Sequence, residues 1–143
     1  MFKKILVATD GSKYAEKAVD YAVALAEAFG AELVVLSVVE MAQLERLEPY
    51  AKEGIQEIKE QMKAKAKQFV DEAEKKAKSK SIKIAKYVLE GDPGKLVCDQ
   101  AEREGVDLIV VGIRGTTGTQ RVVVGSHAMK ILRSSKRPVF IAR

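Results

Sequence analysis

The 143-residue chain has no tryptophan and no asparagine, a single cysteine, a single histidine and three prolines. Each scarcity closes off a class. The lone Cys98 cannot form an intrachain disulfide and has no Cys/His company for zinc, which points to a reducing, cytoplasmic setting. No apolar run approaches the length of a membrane span. The opening Met1-Phe2-Lys3-Lys4-Ile5 enters a short apolar segment at once, as a strand does and a signal peptide does not. Tyr14, Tyr21, Tyr50 and Tyr87 are scattered and make no stacking platform for bases. What is present is an ordinary globular balance, 47% hydrophobic and 31% charged. One domain over residues 1–143 is expected, large enough to bury roughly two thirds of its unfolded surface.

The net charge of +5 invites a nucleic-acid partner, but its location argues against one. Between Lys52 and Lys86 there are 11 lysines against 6 acids, so the excess of 5 belongs to one segment and the rest of the chain is neutral. There Ile55, Ile58, Met62, Ala66, Phe69, Ala73 and Ala77 recur at helical spacing, placing the lysines on an outward, solvated face. No recognition motif accompanies them, so no nucleic-acid partner is expected. The Lys/Glu richness without asparagine is a bias shared with heat-adapted proteins.

Ile5–Ala8, Leu33–Leu36, Leu108–Val111 and Val139–Ile141 are short, β-branched apolar runs, the pattern of strands buried on both faces. Between the first two, Ser12 to Phe29 predicts an amphipathic helix with Ser12 as N-cap and Gly30 as its stop. The lysine-rich helix is expected from near Pro49 to near Ser79. Ile82 to Leu89 mixes apolar residues with lysines, as an edge strand does. Asp92-Pro93 caps and opens a third helix that Gly105 ends, and a fourth follows Gly125. Strands alternating with helices over short connections give an α/β fold, a doubly wound parallel sheet with helices on both faces. In such a sheet ligands sit beyond the carboxyl ends of the strands, where strand order reverses. That rule selects Ala8-Thr9-Asp10-Gly11 and Gly112-Ile113-Arg114-Gly115.

These loops carry a phosphate-binding pattern, and two common ones are excluded. A P-loop needs glycine where Leu89 stands and Ser/Thr where Leu96 stands, and the first strand leads into Asp10-Gly11-Ser12 without the Rossmann glycine triplet. What remains is Gly112-x2-Gly115-x9-Gly125-Ser126: an apolar strand, a Gly/Thr loop, and a Gly-Ser pair opening a helix whose free N–H groups can meet an anion. With Ile5 to Ser12, Gly91-Asp92-Pro93, Asp107 to Gly112 and Arg137 to Ala142, this spacing resembles the universal stress protein family, in its ATP-binding branch, over the whole chain.

The resemblance implies strand order 3-2-1-4-5 and an adenine nucleotide across strands one and four. By position, Ala8, Thr9 and Asp10 meet adenine and ribose, with Val38 closing over the base. At the end of the fourth strand Gly112 lets backbone approach the ribose, with Val111 a further cofactor-binding residue, and Gly115, Gly125 and Ser126 hold the phosphates. ATP is the implied ligand, with ADP or AMP as alternatives. Mg²⁺ is held mainly through phosphates, with Asp10 as the candidate protein ligand. His127 departs from the family pattern and either donates to a phosphate or crowds it; Arg114 and Arg121 either meet phosphate or face solvent. Taken singly, Gly112 and Gly115 are explained by a tight strand exit, Gly125 by close helix packing, and Asp10 as a helix-initiating residue. The resemblance also implies a homodimer through the last strand, Val139 to Ala142, paired across a two-fold axis. The expected function is a cytoplasmic, nucleotide-dependent switch or sensor in a stress response. Slow Mg-dependent ATP hydrolysis, or an interaction module binding AMP or no nucleotide, are the alternatives; no general base or nucleophile can be assigned.

Overall fold

In the computed structural model, which describes residues 1–114 and 124–143, five strands form one sheet in the order β3-β2-β1-β4-β5. The strands are β1 (Lys4–Ala8), β2 (Glu32–Glu40), β3 (Ile84–Gly91), β4 (Leu108–Gly112) and β5 (Val139–Ala142), and every neighbouring pair is parallel. The expected α/β doubly wound architecture and strand order are both present. The helices are α1 (Lys13–Phe29), α2 (Met41–Leu47), α3 (Ile55–Lys78), α4 (Pro93–Glu104) and α5 (Ser126–Ser134).

The alternation of side chains along each strand sorts the core into two layers. Ile5, Val7, Leu33, Val35, Leu108 and Val110 face α1 and α3, where Ala18, Ala22, Ala73 and Ala77 let the helices lie close to the sheet. Leu6, Val34, Leu36, Ile109 and Val111 face the other way, onto Val97 and Ala101 of α4 and Ala128 and Ile131 of α5. Because each central strand is covered on both faces, its sequence reads as an unbroken apolar run. Burying one such Leu or Ile is worth roughly 1.5–3 kcal/mol.

The caps follow the sequence closely. Ser12 Oγ accepts from the Ala15 N–H at 3.3 Å, and Asp92 Oδ1 from the Gly94 N–H at 3.2 Å. Gly30 and Gly105 end α1 and α4 in the left-handed conformation. Asp107 ties the start of β1 to β4 by accepting from the N–H groups of Lys3 at 2.8 Å and Lys4 at 3.0 Å.

Three boundaries differ from expectation, and one helix is unexpected. The lysine-rich helix does not start near Pro49. That proline lies in a short 3₁₀ turn, Glu48–Tyr50, and α3 begins at Ile55 behind Gly54. Upstream, β2 runs on to Glu40 and passes directly into α2, a helix whose buried Leu44 packs with Val39 and Ala66 in a small separate core. No turn residue marks that junction in the sequence. The edge strand begins at Ile84 rather than Ile82, because Ile82 belongs to the end of α3: its N–H donates to the Ala77 carbonyl at 3.0 Å after Ser81 turns left-handed.

Candidate functional site

Strand order reverses between β1 and β4, whose neighbours on the far sides are β2 and β5. Their connections leave in opposite directions, so the carboxyl ends of β1 and β4 part and open a crevice. A cavity of about 500 Å³ lies there. This is the size range of a small-molecule or cofactor site.

Nine expected site residues meet at this cavity. Ala8, Thr9 and Asp10 border it from β1, Val38 from β2, Val111 and Gly112 from β4, and Gly125, Ser126 and His127 from the start of α5. Gly115 and the Thr116-to-Arg121 loop lie outside the described residues. The floor is apolar and buried, built by Leu36, Val97, Val111, Ala128 and Ile131. Polar and charged groups collect at the exposed rim, with Asp10, Lys65 and Ser126 among them.

The β1–α1 turn is internally tied. The Thr9 N–H donates to the Leu36 carbonyl at 2.9 Å, and Thr9 Oγ1 accepts from the Gly11 N–H at 3.2 Å. Asp10 Oδ1 accepts from the Ser12 N–H at 2.9 Å. The Asp10 carboxylate is thus oriented by backbone at one oxygen while the residue stays exposed at the rim. It both starts a helix and borders the cavity; the two roles coexist.

At the opposite end, α5 opens behind Gly125, with no side-chain cap among the described residues. Gly125 is fixed by donating its N–H to the Ile113 carbonyl at 2.7 Å. The first-turn N–H groups of an α-helix lie outside its i→i−4 ladder, so they and the helix dipole place partial positive charge at the end of α5 that borders the cavity. A Cβ at Gly125 would stand 3.1 Å from the Arg114 Cα, tighter than ordinary contact. Gly112 has a packing reason of its own: a Cβ there would lie 2.7 Å from the Tyr14 carbonyl carbon and 2.9 Å from the Ala15 nitrogen. The absent side chain lets α1 approach β4.

His127 Nε2 stands 3.5 Å from Glu40 Oε1, joining the end of β2 to the first turn of α5 across the rim. Gln43 Nε2 donates to the other Glu40 oxygen at 3.0 Å. Beside them Lys130 pairs with Asp92, and this contact draws the Asp92 carboxyl below the usual carboxylate range. The Arg114 guanidinium lies over the Tyr14 ring, 5.1 Å from its centroid.

Glu40 and Gln43 are not found by the sequence reading, since α2 itself is unanticipated. Neither is the contribution of α3, whose Met62, Lys65, Ala66 and Phe69 border the same cavity. One signal was available. The α3 stripe is made of small buried residues, Ala66, Ala73 and Ala77 among them, and the large Met62 and Phe69 that interrupt it are only half-buried.

The fold and cleft together make this a doubly wound α/β domain, with an apolar cavity at the switch point of its sheet and the N-terminus of α5 at one end of it, the place where domains of this architecture hold small ligands. The comparisons narrow the class. The universal stress protein family model matches residues 1–143. Universal stress protein YxiE of Bacillus subtilis is 35% identical, with the whole of both chains covered. The structure of universal stress protein UspA from Lactobacillus plantarum superposes with a TM-score of 0.85 at 26% identity, covering 99% of this chain and 98% of that one. The chain belongs to the universal stress protein family. More distant members share the fold: one in complex with cAMP (TM-score 0.68, 24% identity, coverage 99% and 97%), and one from Archaeoglobus fulgidus in complex with dAMP (TM-score 0.72, 18% identity, coverage 100% and 98%).

Proposed function

We propose that the protein is an ATP-binding universal stress protein whose nucleotide-bound state alters what it contacts, a switch or sensor rather than a fast catalyst. The observation that carries this reading is the facing of two half-sites across one cavity, the Asp10 turn on one side and the start of α5 on the other. The apolar floor suits a base, Val38 supplies a wall for it, and the Asp10 carboxylate can accept from sugar hydroxyls. The N–H groups at Ser126 and His127, with the Ser126 hydroxyl, suit phosphates. Adenine-nucleotide complexes on the same fold in two distant family members are in keeping with this assignment.

The residues present also fit Mg²⁺ carried by the nucleotide. Among the described residues no three His, Cys, Asp or Glu side chains group as a metal cage, and Mg²⁺ favours phosphate oxygens and water with one or two carboxylates. Asp10 is the carboxylate that would reach it. Bound there, the ion would neutralise phosphate charge.

The same reading includes a homodimer and a cytoplasmic location. β5 is a short edge strand with Val139, Phe140 and Ile141 half-buried, a surface that favours covering by a second copy. The lone, half-buried Cys98 suits a reducing compartment. Calorimetric titration with ATP, ADP and AMP tests the nucleotide assignment.

A further inference from the structure

We propose that one face of α3 forms a third wall of the cleft and that Lys65 on this face contacts the negative charge of the bound ligand; the inference rests on the adenine-nucleotide reading above. Met62, Lys65, Ala66 and Phe69 stand at i, i+3, i+4 and i+7, one helical face, and all four border the cavity. The face is held in place. Ala66 is buried with Val39 and Leu44. The Phe69 ring rests on Gly11, which has φ +77°; a Cβ there would fall 2.3 Å from the ring. Gly11 belongs to the turn that carries Asp10, so α3 is packed directly against the Asp10 side of the cleft.

The charge pattern singles out Lys65. Lys59 and Lys63 share Glu90, Lys67 pairs with Asp71, Lys76 with Asp20, and Lys78 with Glu74. Of the α3 lysines, Lys65 and Lys75 have no carboxylate partner among the described residues, and of these two Lys65 borders the cavity, which Arg114 also lines. Asp10 and Glu40 put carboxylates on the same rim, which would repel a phosphorylated ligand. A cation on the α3 wall offsets that repulsion and meets phosphate by a charge-assisted hydrogen bond. Lys65 is exposed, so its replacement leaves the packing intact.

The test is calorimetric titration of the full chain with ATP and with adenosine at low salt. Lys65→Gln is expected to weaken ATP binding by about two- to fivefold, the size of an exposed charge contact, and to leave adenosine unchanged. Lys65→Arg is expected to keep most of the ATP affinity. Lys67→Gln, off the cleft, is expected to bind as the unsubstituted protein. Unchanged ATP affinity in Lys65→Gln overturns the inference while leaving the nucleotide reading standing, and so does an equal loss for ATP and adenosine. Failure of the unsubstituted protein to bind any adenine nucleotide overturns that reading and this inference together.

Discussion

Gly112 meets two demands at once, since it borders the cleft and lies under the backbone of α1 at Tyr14 and Ala15. Backbone atoms cannot swing aside as a side chain can, so a methyl group there forces strand and helix apart. Gly112→Ala is expected to lower unfolding stability by roughly 1–3 kcal/mol, the usual cost of overpacking, measured by urea denaturation; a midpoint equal to that of the unsubstituted protein would contradict it. The glycine spacing is therefore legible in the sequence for two overlapping reasons, packing and ligand. Asp10 is legible because the switch-point rule selects the turn that carries it, Gly125 and Ser126 because a Gly-Ser pair opens a helix at the right spacing, and Val38 through the family resemblance alone. Glu40 and Lys65 are not, because their place at the cleft depends on where α2 and α3 leave the sheet. His127 is visible as a departure from the family pattern, but its approach to Glu40 joins distant segments and has no local signature.

At the scale of the element, α3 shows how a charged helix is fitted to an edge strand. Lys86 of β3 pairs with Asp71 at 2.7 Å and Glu74 at 3.1 Å, while Glu90 at the far end takes Lys59 and Lys63. Hydrogen bonds from Lys67 and Lys86 bring the Asp71 carboxyl from 3.8 down to about 2, and Lys63 holds Glu90 below its ordinary value. A carboxyl lowered in the folded state contributes stability above its unfolded pKa and loses it as pH falls through the folded value. The melting temperature is therefore expected to fall as pH drops from about 4 towards about 2, with Asp71→Asn removing part of the fall. An unaltered acid profile in that variant would show that the pairing contributes nothing. The lysines of this helix read correctly from sequence as an outward face, except at the stripe beside the cleft. The start of the helix does not, because Pro49 signals a helical first turn as readily as the 3₁₀ turn it occupies.

At the scale of the whole molecule, the strand order follows from alternating periodicity, short connections and the handedness of parallel crossovers, with the family resemblance selecting 3-2-1-4-5. That order leaves β5 at one edge, where Tyr21 of α1 stands against Phe140 with ring centroids 5.1 Å apart. Sedimentation at micromolar concentration is expected to give the mass of two chains, and a monomer there would remove the C-terminal strand as an interface. The order also creates the cleft on which the functional account depends. Its most direct test is titration with Mg-ATP and with AMP of the unsubstituted protein and of Gly125→Val, since a branched side chain at Gly125 would press on Arg114 and the Ile113 carbonyl. The account predicts submillimolar ATP binding that Gly125→Val weakens more than it weakens AMP binding. Absence of nucleotide binding below about 1 mM, weaker than roughly 4 kcal/mol, or an equal loss for both ligands, would contradict it.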